Sequence, residues 1–434
     1  MRKERPSPSR ERRGPRGLEG ALGVAALALA LGGSGCVGLV GSTGPAPDAP
    51  LWLHHPGSAM SIALRRTVSA KTRQADEAYE RGKPELDPPR LRMFVGSSDH
   101  GLYALRTTDG ATLWRFETLD GVQCEPLYDA AEDAVYFGSD DGALYKVHAL
   151  DGKLIWRFAT NAKIGRRPVI RDGVVYVVNA NDTLLALDAS TGAMRWNQHR
   201  TPAAGMEVSG YAGPALGADK VYTAFSDGVV SAFSLRDGSE QWPSIDLAAE
   251  AEQGSAGGDV PRHLDVDTTP IVARIDSGVV VFVASYEGGV HALDAESGGR
   301  AWINERVTGV NDLVLWEQPA HRGHDGSGPE IPARRLLLAA SGQTGLWALD
   351  PNDGHTVWRK NLPEGGITAP VPVLGALLVG TTRYGLFLIS PLDGAVIDAI
   401  DTGSGFAMTP AAYEGRAFVM TNGGQLLGFQ IQAP

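Results

Sequence analysis

Two carboxylates separated by one residue, Asp265 and Asp267, form the pair best spaced for chemistry in this chain. Alternate side chains of an extended segment share a face, so both could act as general acid and base or as ligands of a Ca²⁺ ion. The reading adopted is plainer: they accept hydrogen bonds from loop backbone and from Arg262. His321-Arg322-Gly323-His324-Asp325 brings two imidazoles close together, but in a Gly-rich stretch it reads as a solvated loop, and no metal site is assigned. Only two cysteines are present, Cys36 and Cys124. They are far apart in sequence, and Cys124 falls in an apolar run that reads as a strand, where a thiol is most simply a small buried hydrophobe.

The elements that hold these groups follow from an internal repeat spaced by about 40 residues from Leu91 to the C-terminus. An apolar strand ends near Gly or Ser, turns, continues as an alternating strand, turns at Asp-Gly or Thr-Gly, and reaches a Trp; Ala134 to Phe158 is the clearest copy. Asp-Gly and Gly-Gly supply the positive φ of tight hairpins, and Val, Tyr, Phe and Leu at alternate positions supply a buried face. A further short strand precedes each copy, as in Glu125-Pro126-Leu127-Tyr128, Arg167-Pro168-Val169-Ile170, Thr269-Pro270-Ile271-Val272, Ala369-Pro370-Val371 and Thr409-Pro410-Ala411. Four antiparallel strands per unit, repeated radially, predict an all-β, eight-bladed propeller. Trp114, Trp156, Trp196, Trp242, Trp302 and Trp358 recur at one place per blade, with Ile397 in the seventh. A residue fixed in every blade points to packing between blades instead of ligand stacking.

The last repeat stops before its Trp strand, while Pro50 to Pro56 (PLWLHHP) is a Trp strand with no hairpin before it. The expectation is that this N-terminal strand completes the last blade, with Trp52 as the eighth Trp, removing an exposed edge. Lys71 to Arg90, Ala248 to His263 and Glu317 to Arg334 break the spacing and read as rim loops, where binding usually resides on a rigid scaffold.

The 43% hydrophobic content, with 55 Gly and 27 Pro, suits a large body of many short strands. The first 35 residues hold seven Lys/Arg against three Asp/Glu, leaving a formal charge of −15 on the remainder against −11 for the whole chain. That balance argues against a nucleic-acid partner. A basic start followed by the apolar run Ala21 to Leu31 has the order of a secretory signal and is too short to span a bilayer. Gly33-Ser34-Gly35-Cys36 resembles the lipobox of bacterial lipoproteins, departing from it at Gly33, where Leu is usual. The expected organisation is a signal peptide over 1–35, a lipidated Cys36 with a Gly/Pro-rich tether over 36–50, and the propeller over 51–434. Cleavage after Ala28-Leu29-Ala30, with Cys36 left as a free thiol, is the alternative.

The Trp-ended repeat resembles the pyrroloquinoline-quinone-type repeat shared by quinoprotein dehydrogenases, sensor domains and the BamB family. Asp265-Val266-Asp267-Thr268-Thr269-Pro270, Val310-Asn311-Asp312 and Gly403-Ser404-Gly405-Phe406 look like stretches of the BamB family, and the likeness runs from about Leu51 to Phe429. It implies a periplasmic lipoprotein of the outer membrane without cofactor or catalysis. Such a protein docks on the polypeptide-transport-associated domains of the central barrel subunit and helps nascent outer-membrane proteins insert. The family's partner loop has a Leu-x-Leu-Arg-Gly pattern, matched here by Met206-Glu207-Val208-Ser209-Gly210 with Ser209 in place of Arg. Met206, Glu207, Val208, Ser209 and Gly210, with Arg262, Asp265 and Asp267 from the next blade, are the expected partner surface. A dehydrogenase would need an axial cofactor bed, Ca²⁺ carboxylates and usually an adjacent Cys pair, which this chain lacks. A ligand-sensing propeller of another envelope system is the third reading.

Overall fold

The computed structural model describes residues 59–69, 80–202, 211–247, 266–320, 332–362, 366–383 and 385–432. They form eight antiparallel sheets of four strands each, arranged as the blades of a propeller. Blade 1 is Glu85–Asp87, Arg92–Gly96, Gly101–Arg106 and Thr112–Glu117. Blade 2 is Leu127–Asp129, Ala134–Gly138, Ala143–His148 and Leu154–Ala159. Blade 3 is Val169–Arg171, Val174–Asn179, Thr183–Asp188 and Met194–His199. Blade 4 is Ala215–Leu216, Lys220–Ala224, Val229–Ser234 and Ile245–Asp246. Blade 5 is Ile271–Ile275, Gly278–Ser285, Gly289–Asp294 and Arg300–Asn304. Blade 6 is Val310–Gln318, Arg334–Ser341, Gly345–Leu349 and Thr356–Lys360. Blade 7 is Val371–Val373, Ala376–Gly380, Gly385–Ile389 and Val396–Asp401. Blade 8 is Ala411–Tyr413, Arg416–Met420, Gln425–Ile431 and, from the other end of the chain, Met60–Thr67.

The middle two strands of each blade are buried on both faces, which is why they read as continuous apolar runs such as Ala134–Gly138. Successive residues serve opposite neighbours: in the third strand of blade 6, Trp347 and Leu349 pack with Phe282, Ala292 and Trp302 of blade 5, while Leu346 and Ala348 pack with Leu377, Val379 and Phe387 of blade 7. Each such fully buried Leu or Phe contributes about 1.5–3 kcal/mol. Fourth strands are half exposed, so their alternation is visible in the sequence.

The Trp positions form the same joint at six of the eight blade boundaries. The indole of Trp302 lies over the turn of Gly354, where φ is +75° and an added Cβ would stand 2.4 Å from the ring. Its Nε1 donates to the Pro351 carbonyl at 3.0 Å. The same indole–turn contact joins Trp114 to Gly152, Trp156 to Gly192, Trp196 to Gly238, Trp242 to Gly298 and Trp358 to Gly394. Nε1 of Trp242 is the exception to the hydrogen bonding, buried and without a partner among the described residues; Tyr222 donates to the corresponding carbonyl, that of Ala295.

Three expectations are overturned at this level. The strand that closes the ring is Met60–Thr67, paired antiparallel with Gln425–Ile431, and not the Trp strand Pro50 to Pro56, which with Trp52 lies outside the described residues. Its side chains Leu64 and Arg66 cover the Gly110 turn of blade 1, the place an eighth Trp would have taken. In blade 7 the residue in the Trp register is Asp398, paired with Leu388 as Trp358 is paired with Ala348, and not Ile397. The spacing from the turn glycine agrees: Gly354 precedes Trp358 by four residues as Gly394 precedes Asp398, so Ile397 is one residue short of the register. Finally, Lys71 to Arg90 is not loop throughout: Glu85–Asp87 is the first strand of blade 1, unrecognised because two of its three residues, Glu85 and Asp87, are charged.

Candidate partner-binding face

In every blade but the sixth the chain enters through a short segment ending in Pro, and the residue before Pro is held extended. Two residues before that Pro, several blades bury a small side chain that bonds to the second strand of the same blade. Cys124 exchanges hydrogen bonds with Gly138, Thr268 with Ala284, and the Thr368 hydroxyl accepts from the Gly380 N–H. Burial pushes the Cys124 thiol up to about 12, so it is a neutral packing group. Blade 3 departs from this pattern by placing Arg166 there.

Arg166 reaches across its neighbours. Its Nη2 donates to the backbone carbonyl of Asp267 at 2.7 Å, ahead of blade 5, and its Nε donates to the carbonyl of Tyr211, ahead of blade 4. The Tyr211 hydroxyl donates to the Lys163 carbonyl at 3.1 Å and accepts from the Gly165 N–H, binding the same segment back to blade 3. Gly213 N–H donates to Thr269 Oγ1 at 3.0 Å, and a Cβ on Gly213 would come within 2.8 Å of that oxygen. Tyr211–Gly213 and Asp267–Thr269, which follow the connections 203–210 and 248–265 in sequence, are thus held side by side on one face. Met206, Glu207, Val208, Ser209, Gly210, Arg262 and Asp265 lie outside the described residues; Asp267 is the member of that set that the structure places.

A charged network lies inward of this face. Arg167 is paired with Glu85 of blade 1 at 2.7 Å and with Glu125, which precedes blade 2, at 2.8 Å; Lys83 holds Glu125 at 2.8 Å. Burial alone would raise the Glu125 carboxyl, but Lys83 and Arg167 outweigh it and hold the group below its ordinary value. Burial likewise opposes the Arg167 charge, and the two glutamates reverse the effect. Asp312 of blade 6 is partly buried, and its carboxyl is raised by that burial, which Arg166 and Lys83 offset only in part. Residues from blades 1, 2, 3 and 6 therefore share one electrostatic neighbourhood, which places their first strands nearest the axis.

Of the expected Glu317 to Arg334 loop, Glu317, Gln318 and Arg334 are instead strand residues, and the paired ends Gln318 and Arg334 lie at the opposite end of blade 6 from the start of its first strand. There Trp316, Pro319, Pro372 and Leu374 line a shallow groove of about 370 Å³. His321, His324 and Asp325 lie outside the described residues; among those described, no group of three His, Cys, Asp or Glu is placed to hold a metal ion.

Solved structures with the same fold include BamB from Moraxella catarrhalis, 18% identical over 87% of this chain and 99% of that one, with a TM-score of 0.63. Quinohemoprotein alcohol dehydrogenase ADHIIG from Pseudomonas putida HK5, 15% identical over 88% of this chain and 77% of that one, gives 0.59. At such identities the likeness shows the fold alone. In sequence, the outer membrane protein assembly factor BamB of Yersinia pestis is 28% identical over 267 residues, 61% of this chain and 60% of that protein. That of Escherichia coli K12 is 28% identical over 222 residues, half of each chain. The aligned region thus spans about half to three fifths of these relatives' length. The family model described as outer membrane protein assembly factor BamB matches residues 98–321 and 342–433, and the chain belongs to that family.

Proposed function

We propose that this chain is a non-catalytic scaffold of outer-membrane β-barrel protein assembly. In this reading it is anchored to the outer membrane by lipid on Cys36, stands on the periplasmic side, and docks on the polypeptide-transport-associated domains of the central barrel subunit. Nascent outer-membrane proteins are its further partners. The observation that carries the proposal is the joining of Tyr211–Gly213 to Asp267–Thr269, the residues that follow two long connections, on a rigid face within a BamB-family propeller. Met206 and Val208 on the first connection supply apolar anchors flanked by charge, as a modest protein interface requires. The ionic groups inward of this face are engaged with one another, which supports a scaffold over a quinone enzyme despite the shared fold.

Affinity purification of the native protein should recover the barrel assembly subunits. A Met206→Ala, Val208→Ala double variant, folded normally, should bind the central subunit at least tenfold more weakly, since truncating a central anchor costs about 2 kcal/mol or more. Unchanged affinity removes the site; tight stoichiometric binding of pyrroloquinoline quinone with Ca²⁺ in calorimetry removes the scaffold reading.

A further inference from the structure

We infer that Arg166 is the positioning residue of the partner face, the side chain that makes segments of three consecutive blades into one docking unit. The inference rests on the proposed docking role of that face and assigns its organisation to a residue outside both connections.

The equivalent place in blades 2, 5 and 7 holds Cys124, Thr268 and Thr368, each turned into its own blade. A guanidinium there has no such internal bond to make. Its planar fork instead donates to two carbonyls, Tyr211 and Asp267, contributed by the two blades that follow. Lysine, with a single ammonium and no fork, cannot reproduce both bonds in that plane. The two acceptors sit at the C-terminal ends of the connections 203–210 and 248–265, where the chain turns inward to its first strand. The Tyr211 hydroxyl and the Gly213–Thr269 bond brace the same junction from either side. Fixing the ends of a connection lowers the ordering cost of binding, which is how a residue that touches no partner strengthens docking.

The test uses the full-length chain with Arg166→Met, which keeps the stem, and Arg166→Lys, which keeps the charge. Hydrogen exchange over 211–216 and 266–272 should accelerate in both variants while exchange in the remaining blades is unchanged. This readout needs no partner, so it judges the positioning role even if docking occurs elsewhere. Affinity for the central barrel subunit should fall about tenfold in both, and Arg166→Met added to the Met206→Ala, Val208→Ala variant should weaken binding further by much less than tenfold. Unaltered exchange at those two segments overturns the inference; so, where the Met206→Ala, Val208→Ala variant does bind more weakly, does full affinity in folded Arg166→Met, or two effects that multiply independently. A null result for the Met206/Val208 variant together with altered exchange would instead discard the docking site and leave the positioning role standing.

Discussion

The Asp398 carboxylate accepts the backbone N–H of Met60 at 2.7 Å, and the same oxygen accepts that of Ala59 at 2.8 Å. At six other joints an indole stands in this register, and at five of them its N–H donates to a turn carbonyl of the next blade. Blade 8 has no covalent turn at that place, because its third and fourth strands come from opposite ends of the chain. The joint therefore presents free amides, and a donor is replaced by an acceptor.

Asp398→Ala should lower the stability of the ring by about 3 kcal/mol, since one buried and one partly buried N–H group lose a charged acceptor. Removing residues 51–56 should leave the unfolding transition near its parent position, and removing 60–67 should abolish cooperative folding by baring the edge of Gln425–Ile431. Denaturant or thermal melts of the three variants decide whether Met60–Thr67 is the seal.

The part of this architecture legible in the sequence is the part that repeats. Asp-Gly followed by Trp marks joints such as Trp114 on Gly152, because a positive φ and a flat ring impose the same residues in each blade. The seal does not repeat: Met60–Thr67 carries no Trp, and its partner Asp398 lies 338 residues away, where no local pattern points to it. Pro50 to Pro56 is the better match to the repeat and is not the closing strand. Glu85–Asp87 escapes for a related reason, as Glu85 faces Arg167 near the axis and carries charge where other blades carry apolar residues. Arg166 and Arg167 are visible as a basic pair, but their division of labour, one to carbonyls and one to glutamates, depends on which blades meet at the axis.

The indole joint makes a paired prediction at two turn glycines of similar φ. Gly173 has φ +71° with nothing within 4 Å of an added methyl, whereas at Gly354 that methyl would stand 2.4 Å from Trp302. Both Ala variants bear the left-handed strain of about 1–2 kcal/mol. Only Gly354→Ala must also displace a packed ring, so it should be the less stable of the two by about 2 kcal/mol. Equal melting points would mean that the contact contributes nothing.

Cys124 should resist thiol reagents. Its thiol is fully buried and pushed up to about 12, so at pH 8 the reactive thiolate is scarce and inaccessible. In a chain with Cys36→Ala, iodoacetamide should label nothing until denaturant is added, and then one equivalent. Rapid labelling of the native form would place Cys124 elsewhere.

Acid should weaken the fold through a buried imidazole. His291, on the third strand of blade 5, is 2% exposed; its Nε2 bonds to the Gly288 carbonyl at 3.1 Å and its Nδ1 has no partner among the described residues. Burial drives its pKa down from 6.5 to about 4, opposed by Gly288 and assisted by Arg300. The imidazole is therefore neutral in the fold over a range where the unfolded chain binds a proton. Stability is then fully present above pH 6.5 and falls as pH drops toward 4, the unfolded state taking up more protons. Between pH 7 and 4.5 the loss from this one group is about 2 kcal/mol. Glu125, held below the ordinary carboxylate range, loses its contribution only at still lower pH, so the two effects separate. His291→Gln removes the titration, and its unfolding free energy should decline less steeply than the parent's across that window. Parallel pH profiles for the two proteins would show that His291 is protonated without penalty and that its burial does not govern the acid response.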